Sequence, residues 1–194
     1  MPHPDPFQRT PADMRAIALF VTAVGRLNAL VGRTFAWLVL AAVLVCFTVV
    51  VQRYLFSTTQ LWMQDLYVWL NGAMFMAVAG YTLLIDGHVR VDILYRPASR
   101  RRKAIMDMIG VLVFLLPFCV VVWLWGFEYV QRAWMLREGS ANPGGMPGLY
   151  ILKAFILVFV VLVALQGIAM LLRSVLVLAG REELLPVPFR YRVE

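Results

Sequence analysis

Four long apolar windows constrain this chain more than any other feature of its sequence. They cover residues 34–51, 66–85, 104–127 and 149–172. Roughly 20 helical residues cross a hydrocarbon core of about 30 Å, so each window has about the length needed to span a membrane. The hydrophobic fraction is 62% and the charged fraction only 15%, far from the values typical of soluble proteins. The sequence therefore predicts an all-α integral membrane protein with four transmembrane helices.

Lysine and arginine residues are distributed unevenly between the two ends of these windows. Fourteen of the eighteen lie before the first window, between the second and third, or after the fourth. Because positive charge is concentrated in cytoplasmic loops, we expect both termini and the central loop to be cytoplasmic. The net charge of +7 is spread over three short flanking segments. It is not gathered on one domain face, so we expect no nucleic-acid partner.

A second helical pattern occurs in residues 14–33, ahead of the first window. Arg15, Arg26 and Arg33 recur on one side of a helix at about 100° per residue. Apolar residues occupy the far side: Ile17, Phe20, Val24, Leu27 and Val31. The pattern predicts an amphipathic helix that lies in the membrane interface against phospholipid, with a corner at Gly32. The alternative is that this segment extends the first span into the cytoplasm.

The remaining divisions of the chain follow from composition. Residues 1–13 are rich in proline and predict a disordered cytoplasmic tail. Residues 34–180 form the predicted transmembrane domain, and residues 181–194 a second cytoplasmic tail. The central loop adds a run of cations that we expect at the membrane surface: Arg100, Arg101, Arg102 and Lys103.

The interiors of the windows contain almost no strongly polar side chain. Asp, Glu, Lys, Arg and His are absent from residues 34–51, 66–85, 108–127 and 154–172. A charged side chain at the centre of a membrane costs at least about 2.5 kcal/mol and usually marks an ion or proton pathway. The chain is therefore not expected to transport a solute alone. Asn71 and Gln166 are the strongest hydrogen-bonding groups at depth, and such residues commonly join helices.

A polar cluster follows the second window and includes Asp86, Gly87, His88, Arg90 and Asp92. As a metal site it lacks a second His or a Cys nearby, and Arg90 would repel a cation. As an acid–base site built on His88 it lacks a nucleophile and an oxyanion-binding loop. We therefore favour a structural end of the membrane helix, with a turn at Asp86 and Gly87. No catalytic residue, metal or cofactor is predicted.

The second window and its flanks resemble the small membrane subunit of tripartite ATP-independent periplasmic (TRAP) transporters, the DctQ-like family. That family opens this span with Trp, an acidic residue and Leu, and closes it with Gly-His-x-x-Val-Asp. The matching residues here are Trp62, Asp65, Leu66, Gly87, His88, Val91 and Asp92. The last window and the loop before it are also similar to the family, at Ser140, Pro147, Lys153, Gln166 and Gly167. The resemblance covers roughly residues 33–180.

Two departures from the family pattern affect only the outer surface. The family more often has Glu at the position of Asp65. It also has Trp after the proline, where this chain has Gly148, Leu149 and Tyr150.

The resemblance implies a non-catalytic subunit in the bacterial inner membrane. Its partners would be a large multi-span TRAP membrane subunit, which carries the sodium and substrate sites, and a periplasmic substrate-binding protein. The cargo would be an organic acid, and the chain would brace the large subunit. Residues expected at subunit interfaces or in structural motifs are Trp62, Asp65, Asn71, Asp86, Gly87, His88, Arg90, Asp92, Lys153 and Gln166.

One alternative function comes from a different class of protein. A four-helix redox anchor would hold haem b or quinone between its spans. Haem needs axial ligands inside the bundle, whereas the two histidines, His3 and His88, lie in the N-terminal tail and at the end of a span.

Overall fold

The computed structural model describes residues 11–88, Tyr95 and residues 97–190, and in these residues the secondary structure is helical. The α-helices are α1 (Pro11–Ala36), α2 (Leu38–Leu55), α3 (Leu61–Leu84), α4 (Arg100–Gly110), α5 (Leu116–Met135) and α6 (Leu149–Leu178). A π-helical turn, Val111–Leu115, joins α4 to α5 without a break. Two short 3-10 helices, Glu182–Leu184 and Val187–Phe189, follow α6.

Four continuous helices are long and apolar enough to cross a membrane. They are Ala12–Leu55, Leu61–Leu84, Arg100–Met135 and Leu149–Leu178. Each contains or closely matches one of the four apolar windows, so the predicted all-α membrane fold with four spanning helices is confirmed. The first, third and fourth helices extend beyond their windows, because a helix can continue outside the hydrocarbon where it packs on other parts of the protein.

The amphipathic N-terminal segment forms the first part of the first long helix. Helix α1 passes through Gly32 and ends at Ala36, and only a turn at Trp37 separates it from α2. The predicted corner at Gly32 is therefore wrong. Gly32 is buried against Tyr81 of α3, where a Cβ atom would overlap the tyrosine side chain. Glycine at this position allows the two helices to approach closely.

The spanning helices form an open row. Helices α3 and α6 pack on each other in its centre, α2 packs along α3, and α5 packs along α6. In the described part of the chain, no comparable packing joins α2 to α5 or to α6. The order across the row is therefore α2, α3, α6, α5, and most of α2 is exposed, with Val49 as its one buried residue.

Helix α1 runs antiparallel to α6 and covers part of the row. Near its start, α1 buries Ala18, Val21 and Val24 in a cluster with Ala169 and Leu176 of α6. Near its end, the ring of Phe35 lies 5.7 Å from the ring of Phe155. Residue numbers thus rise along α1 as those of its partners fall along α6. One face of the amphipathic helix is therefore occupied by protein.

The surface of α1 differs in part from the predicted pattern. Arg15, Arg26 and Arg33 are exposed, as expected. Phe20 and Leu27, however, are 38% and 42% exposed and do not belong to the buried cluster. The buried face is centred nearer to Val21, because α1 fits between α3 and α6. The orientation of α1 relative to a membrane plane remains a prediction.

Candidate functional site

Asp65 fixes the loop that connects α5 to α6. We expect this loop, residues 136–148, on the outer side of the membrane and call it the outer cap. Its side chain is buried in the second turn of α3. One carboxylate oxygen accepts a hydrogen bond from the Asn142 side-chain amide at 2.9 Å. The other accepts one from the backbone N–H of Met146 at 2.9 Å, and the Ser140 hydroxyl also hydrogen-bonds to the carboxylate. One acidic side chain therefore holds both arms of the loop against the first turns of α3.

The loop depends on a glycine to come this close to α3. A Cβ atom on Gly145 would overlap the Asp65 carboxylate and the Ser140 side chain. The backbone N–H of Ser140 also donates to the carbonyl of Met146 at 2.9 Å, which closes the loop on itself. Residues 140–146 thus form a compact, hydrogen-bonded cap.

Lys153 ties the start of α6 to the end of α5. Its ammonium group lies 2.6 Å from the Glu138 carboxylate and 4.1 Å from the centre of the Tyr129 ring. The nearby Trp134 and Tyr150 rings meet edge to face at 4.8 Å. Lys153 and Asp65 therefore stabilise the same outer cap from two sides, while Trp62 is exposed at the start of α3.

Gln166 forms a hydrogen bond between two helices. Its side-chain oxygen accepts a hydrogen bond from the Asn28 amide at 3.0 Å, and both side chains are buried. Gly80 of α3 lies against Asn28, and a Cβ atom there would overlap the Asn28 amide. The bond therefore links α1 to α6 at a point where α3 also meets them. Asn71, in contrast, is exposed on α3.

Asp86 and Gly87 form the turn that ends α3. The backbone N–H of Gly87 donates to the carbonyl of Thr82 at 2.8 Å, and Asp86 has a left-handed backbone conformation with a φ of 58°. These features define a Schellman-type helix end, although the left-handed residue is Asp86 and not the glycine. His88 is exposed. Arg90 and Asp92 lie outside the described residues.

A buried ion pair connects α4 to α6 at the other end of the row. The Arg173 guanidinium lies 2.9 Å from the Asp107 carboxylate, and both side chains are at most 10% exposed. The Tyr95 hydroxyl donates to the same carboxylate at 3.2 Å. Lys103 is also buried, with its ammonium group 5.3 Å from the Tyr95 ring. Lys103 thus differs from Arg100, Arg101 and Arg102, which are exposed. That these four cations lie at the membrane surface stays a prediction.

The contacts of Asp65, Gln166 and Asp107 each link two or more helices or helix ends, and protein donors hold the Asp65 and Asp107 carboxylates. The described residues contain no group of three or more His, Cys, Asp or Glu side chains placed to hold a metal ion. These contacts hold the helices together at both ends of the row and between them.

A family model for the DctQ component of tripartite ATP-independent periplasmic transporters matches residues 41–177. The chain belongs to the DctQ family. The match begins in α2 and ends one residue before the end of α6, so it includes both the outer cap and the buried ion pair. No curated protein and no solved structure matches the chain.

The family identifies this DctQ protein as a small component of a TRAP transporter and a multi-pass membrane protein. Such a complex also contains a large membrane subunit and a substrate-binding protein. Components of this kind are generally non-catalytic. The match does not support the alternative of a redox anchor.

The sequence did not single out several residues of this DctQ protein that carry its internal contacts. They are Asn28, Tyr95, Asp107, Asn142 and Arg173. Asn28 had a detectable signal, because it is a polar residue on the far side of the helix from the arginines. Asp107 and Arg173 also had one, since each lies directly beside a charge-free window.

Replacing Asp65 by Asn should loosen the outer cap of this DctQ protein. The new amide would point an N–H group at one of the present donors, and the unsatisfied group should cost about 1–2 kcal/mol. Hydrogen exchange of the backbone amides in residues 140–146 should become roughly tenfold faster. The matched control is Glu128→Gln on exposed α5, which should leave this exchange unchanged. Equal protection in both variants would contradict the role of Asp65.

Proposed function

We propose that this DctQ protein braces the large membrane subunit of a sodium-driven TRAP transporter for organic acids. It would do so in the bacterial inner membrane, with both termini in the cytoplasm. The observation that carries the proposal is the open row of four spans, in which residues 34–51, 66–85, 108–127 and 154–172 carry no charged side chain. Such a row offers broad apolar faces to a neighbour but, within those stretches, no charged group of its own to couple ion flow to cargo.

The rigidity of the row supports a bracing role. Internal links occur at three depths: the Asp65 cap, the Asn28–Gln166 hydrogen bond and the Asp107–Arg173 ion pair. A subunit that holds a moving partner must itself resist deformation, and satisfied buried polar contacts favour one arrangement of the helices. The links therefore suit a static scaffold.

The outer cap is the surface that we propose for the periplasmic substrate-binding protein. Its backbone is fixed by Asp65, whereas Leu136 at the end of α5 is 78% exposed. A rigid loop with exposed apolar and polar groups can bind a partner at little cost in conformational entropy. On this proposal the cap faces the periplasm and the Asp107–Arg173 pair lies toward the cytoplasm.

The exposed surface of α1 suits a contact with phospholipid. Leu19 and Leu30 are 71% and 66% exposed, and they lie beside the exposed arginine stripe of Arg15, Arg26 and Arg33 on the helix surface. Exposed leucines next to arginines suit the boundary between acyl chains and anionic headgroups. We propose that this side of α1 contacts lipid, while its buried side packs on α3 and α6.

Reconstitution of purified components into liposomes tests the proposed function. We expect sodium-dependent uptake of an organic acid when this protein, the large subunit and the binding protein are all present. Uptake should fall to background when this protein is omitted or is present alone. Uptake by this protein alone, or full uptake without it, would contradict the proposal.

A further inference from the structure

Asn71 is placed near the middle of the second spanning helix. It follows the first residue of α3 by ten positions and precedes the last by thirteen. At 1.5 Å per residue, it lies about 15 Å from one end of the helix and about 20 Å from the other. The charge-free part of this helix begins at residue 66, five positions before Asn71, so we place the Asn71 amide about 7.5 Å inside a hydrocarbon core that is about 30 Å thick.

The side chain of Asn71 points away from the protein. Asn71 is exposed, and it shares a helix face with Val68 and Phe75, which are 54% and 67% exposed. The buried residues in the same part of α3 lie on the opposite face: Ala73, Ala77 and Gly80. Among the described residues, no protein group hydrogen-bonds to the Asn71 amide.

An amide group at this depth favours a polar partner over lipid. Water is scarce in the hydrocarbon core, and acyl chains offer no hydrogen bond, so an unsatisfied amide is unfavourable there. Two buried amides of the same chain are paired, since the Asn28 side-chain N–H donates to Gln166, although Asn28 Oδ1 has no partner among the described residues. Thr48, an exposed polar residue of α2, donates to the carbonyl of Leu44 in its own helix at 2.8 Å. Asn71 differs from all three.

We propose that the Val68–Asn71–Phe75 face of α3 docks on a transmembrane helix of the large TRAP subunit. That helix would place a hydrogen-bonding side chain or an open backbone carbonyl against Asn71 within the hydrocarbon core. Val68 and Phe75 supply apolar contacts on either side, which exclude lipid from the hydrogen bond. The inference rests on the proposed function, because it assigns the face through which this subunit contacts its larger partner.

The position of α3 in the row agrees with this assignment. Helix α3 is one of the two central helices, with α2 on one side and α6 on the other. A partner bound to a central helix is supported by neighbours on both flanks. A hydrogen bond between two helices inside the hydrocarbon core also fixes the register of the two subunits, since apolar contacts alone permit sliding along the helix axis.

Binding of the large subunit to variants of the full chain in nanodiscs tests this inference. Asn71→Leu should raise the dissociation constant about threefold or more, the range measured for hydrogen bonds between membrane helices. Asn71→Gln, which keeps an amide, should recover part of the affinity. The matched control is Thr48→Val, which removes an exposed hydroxyl already satisfied within its own helix and should bind like the original chain. Asn71→Leu should not destabilise the isolated chain, because Asn71 is exposed and its side chain makes no hydrogen bond to the described residues.

A photocrosslinking residue at Phe75 provides a second, independent measurement. We expect it to form a crosslink to the large subunit. If the original chain binds the large subunit but Asn71→Leu binds equally well, and Phe75 crosslinks only to lipid or a second copy of this chain, the docking face is wrong and the bracing function stands. If the original chain does not bind the large subunit at all, both the docking face and the proposed function are wrong.

Discussion

Replacing Asp107 or Arg173 by Ala should destabilise the folded chain by about 3–5 kcal/mol. The two side chains form an ion pair at 2.9 Å with little exposure, so removal of one takes away an opposite charge at hydrogen-bond distance from the other, which stays buried. In the Arg173 variant, the Asp107 carboxylate keeps the hydrogen bond from the Tyr95 hydroxyl but loses the one from the guanidinium. Reversible denaturant unfolding in detergent micelles, followed by circular dichroism, measures the free energy of unfolding.

Two further variants make this prediction specific to the buried pair. Arg101→Ala removes an exposed cation from the same helix as Asp107, and should change stability by no more than about 0.5 kcal/mol. The double variant Asp107→Leu with Arg173→Met removes both charges and should be more stable than either single variant, because neither member of the pair is left charged without the other. Single variants that unfold like the original chain would show that the pair does not hold α4 against α6.

The membrane-spanning part of the fold could be predicted from the sequence because the bilayer imposes a strict rule. Charged groups are excluded from the hydrocarbon, so windows without them mark the spans directly. The lengths of the helices were less predictable. The third window ends at residue 127, whereas α5 continues to Met135, because its last turns pack beside the outer cap, where polar residues are tolerated.

The internal contacts were harder to predict, since they depend on which helices are neighbours. Asp107 comes directly before one charge-free window and Arg173 directly after the next. Consecutive spans run in opposite directions, so the sequence places both residues on the same side of the membrane and at a similar depth. Nothing in the pattern shows that α4 and α6 are adjacent. The contact of Asn28 with Gln166 was hard to predict for the same reason, because it forms only if α1 lies along α6.

Asp65 and Asn71 show the difference between a motif and its role. Both lie in the stretch that resembles the family, and both were expected to act in structural motifs or interfaces. The structure places Asp65 inside the protein, where it holds the outer loop. Asn71 lies on the surface. Helical period separates the two faces of α3, but only the positions of the neighbouring helices show which face is covered.

Gly80 lies where α1, α3 and α6 meet. Its replacement by Val should lower the free energy of unfolding by about 3 kcal/mol. The Cβ atom of any other residue would overlap the Asn28 amide, and Leu162 of α6 would be 3.2 Å away. Asn28 cannot turn aside without losing its hydrogen bond to Gln166. The variant should therefore separate α1 from α3 and leave buried amides unsatisfied. Denaturant unfolding measures the loss of stability, and faster hydrogen exchange across residues 18–28 shows where it occurs.

The matched control for Gly80 is Gly110, which lies at the end of α4 where the helix continues into the π-helical turn. A Cβ atom on Gly110 would meet nothing within 4 Å, so Gly110→Ala should be neutral or stabilise the chain by up to about 1 kcal/mol, since alanine restricts the unfolded backbone. If Gly80→Val were as stable as Gly110→Ala, α1 would not be held at this crossing. Loss of stability in Gly80→Val alone would mean that close backbone approach, and not helix propensity, joins the amphipathic helix to the row of spans.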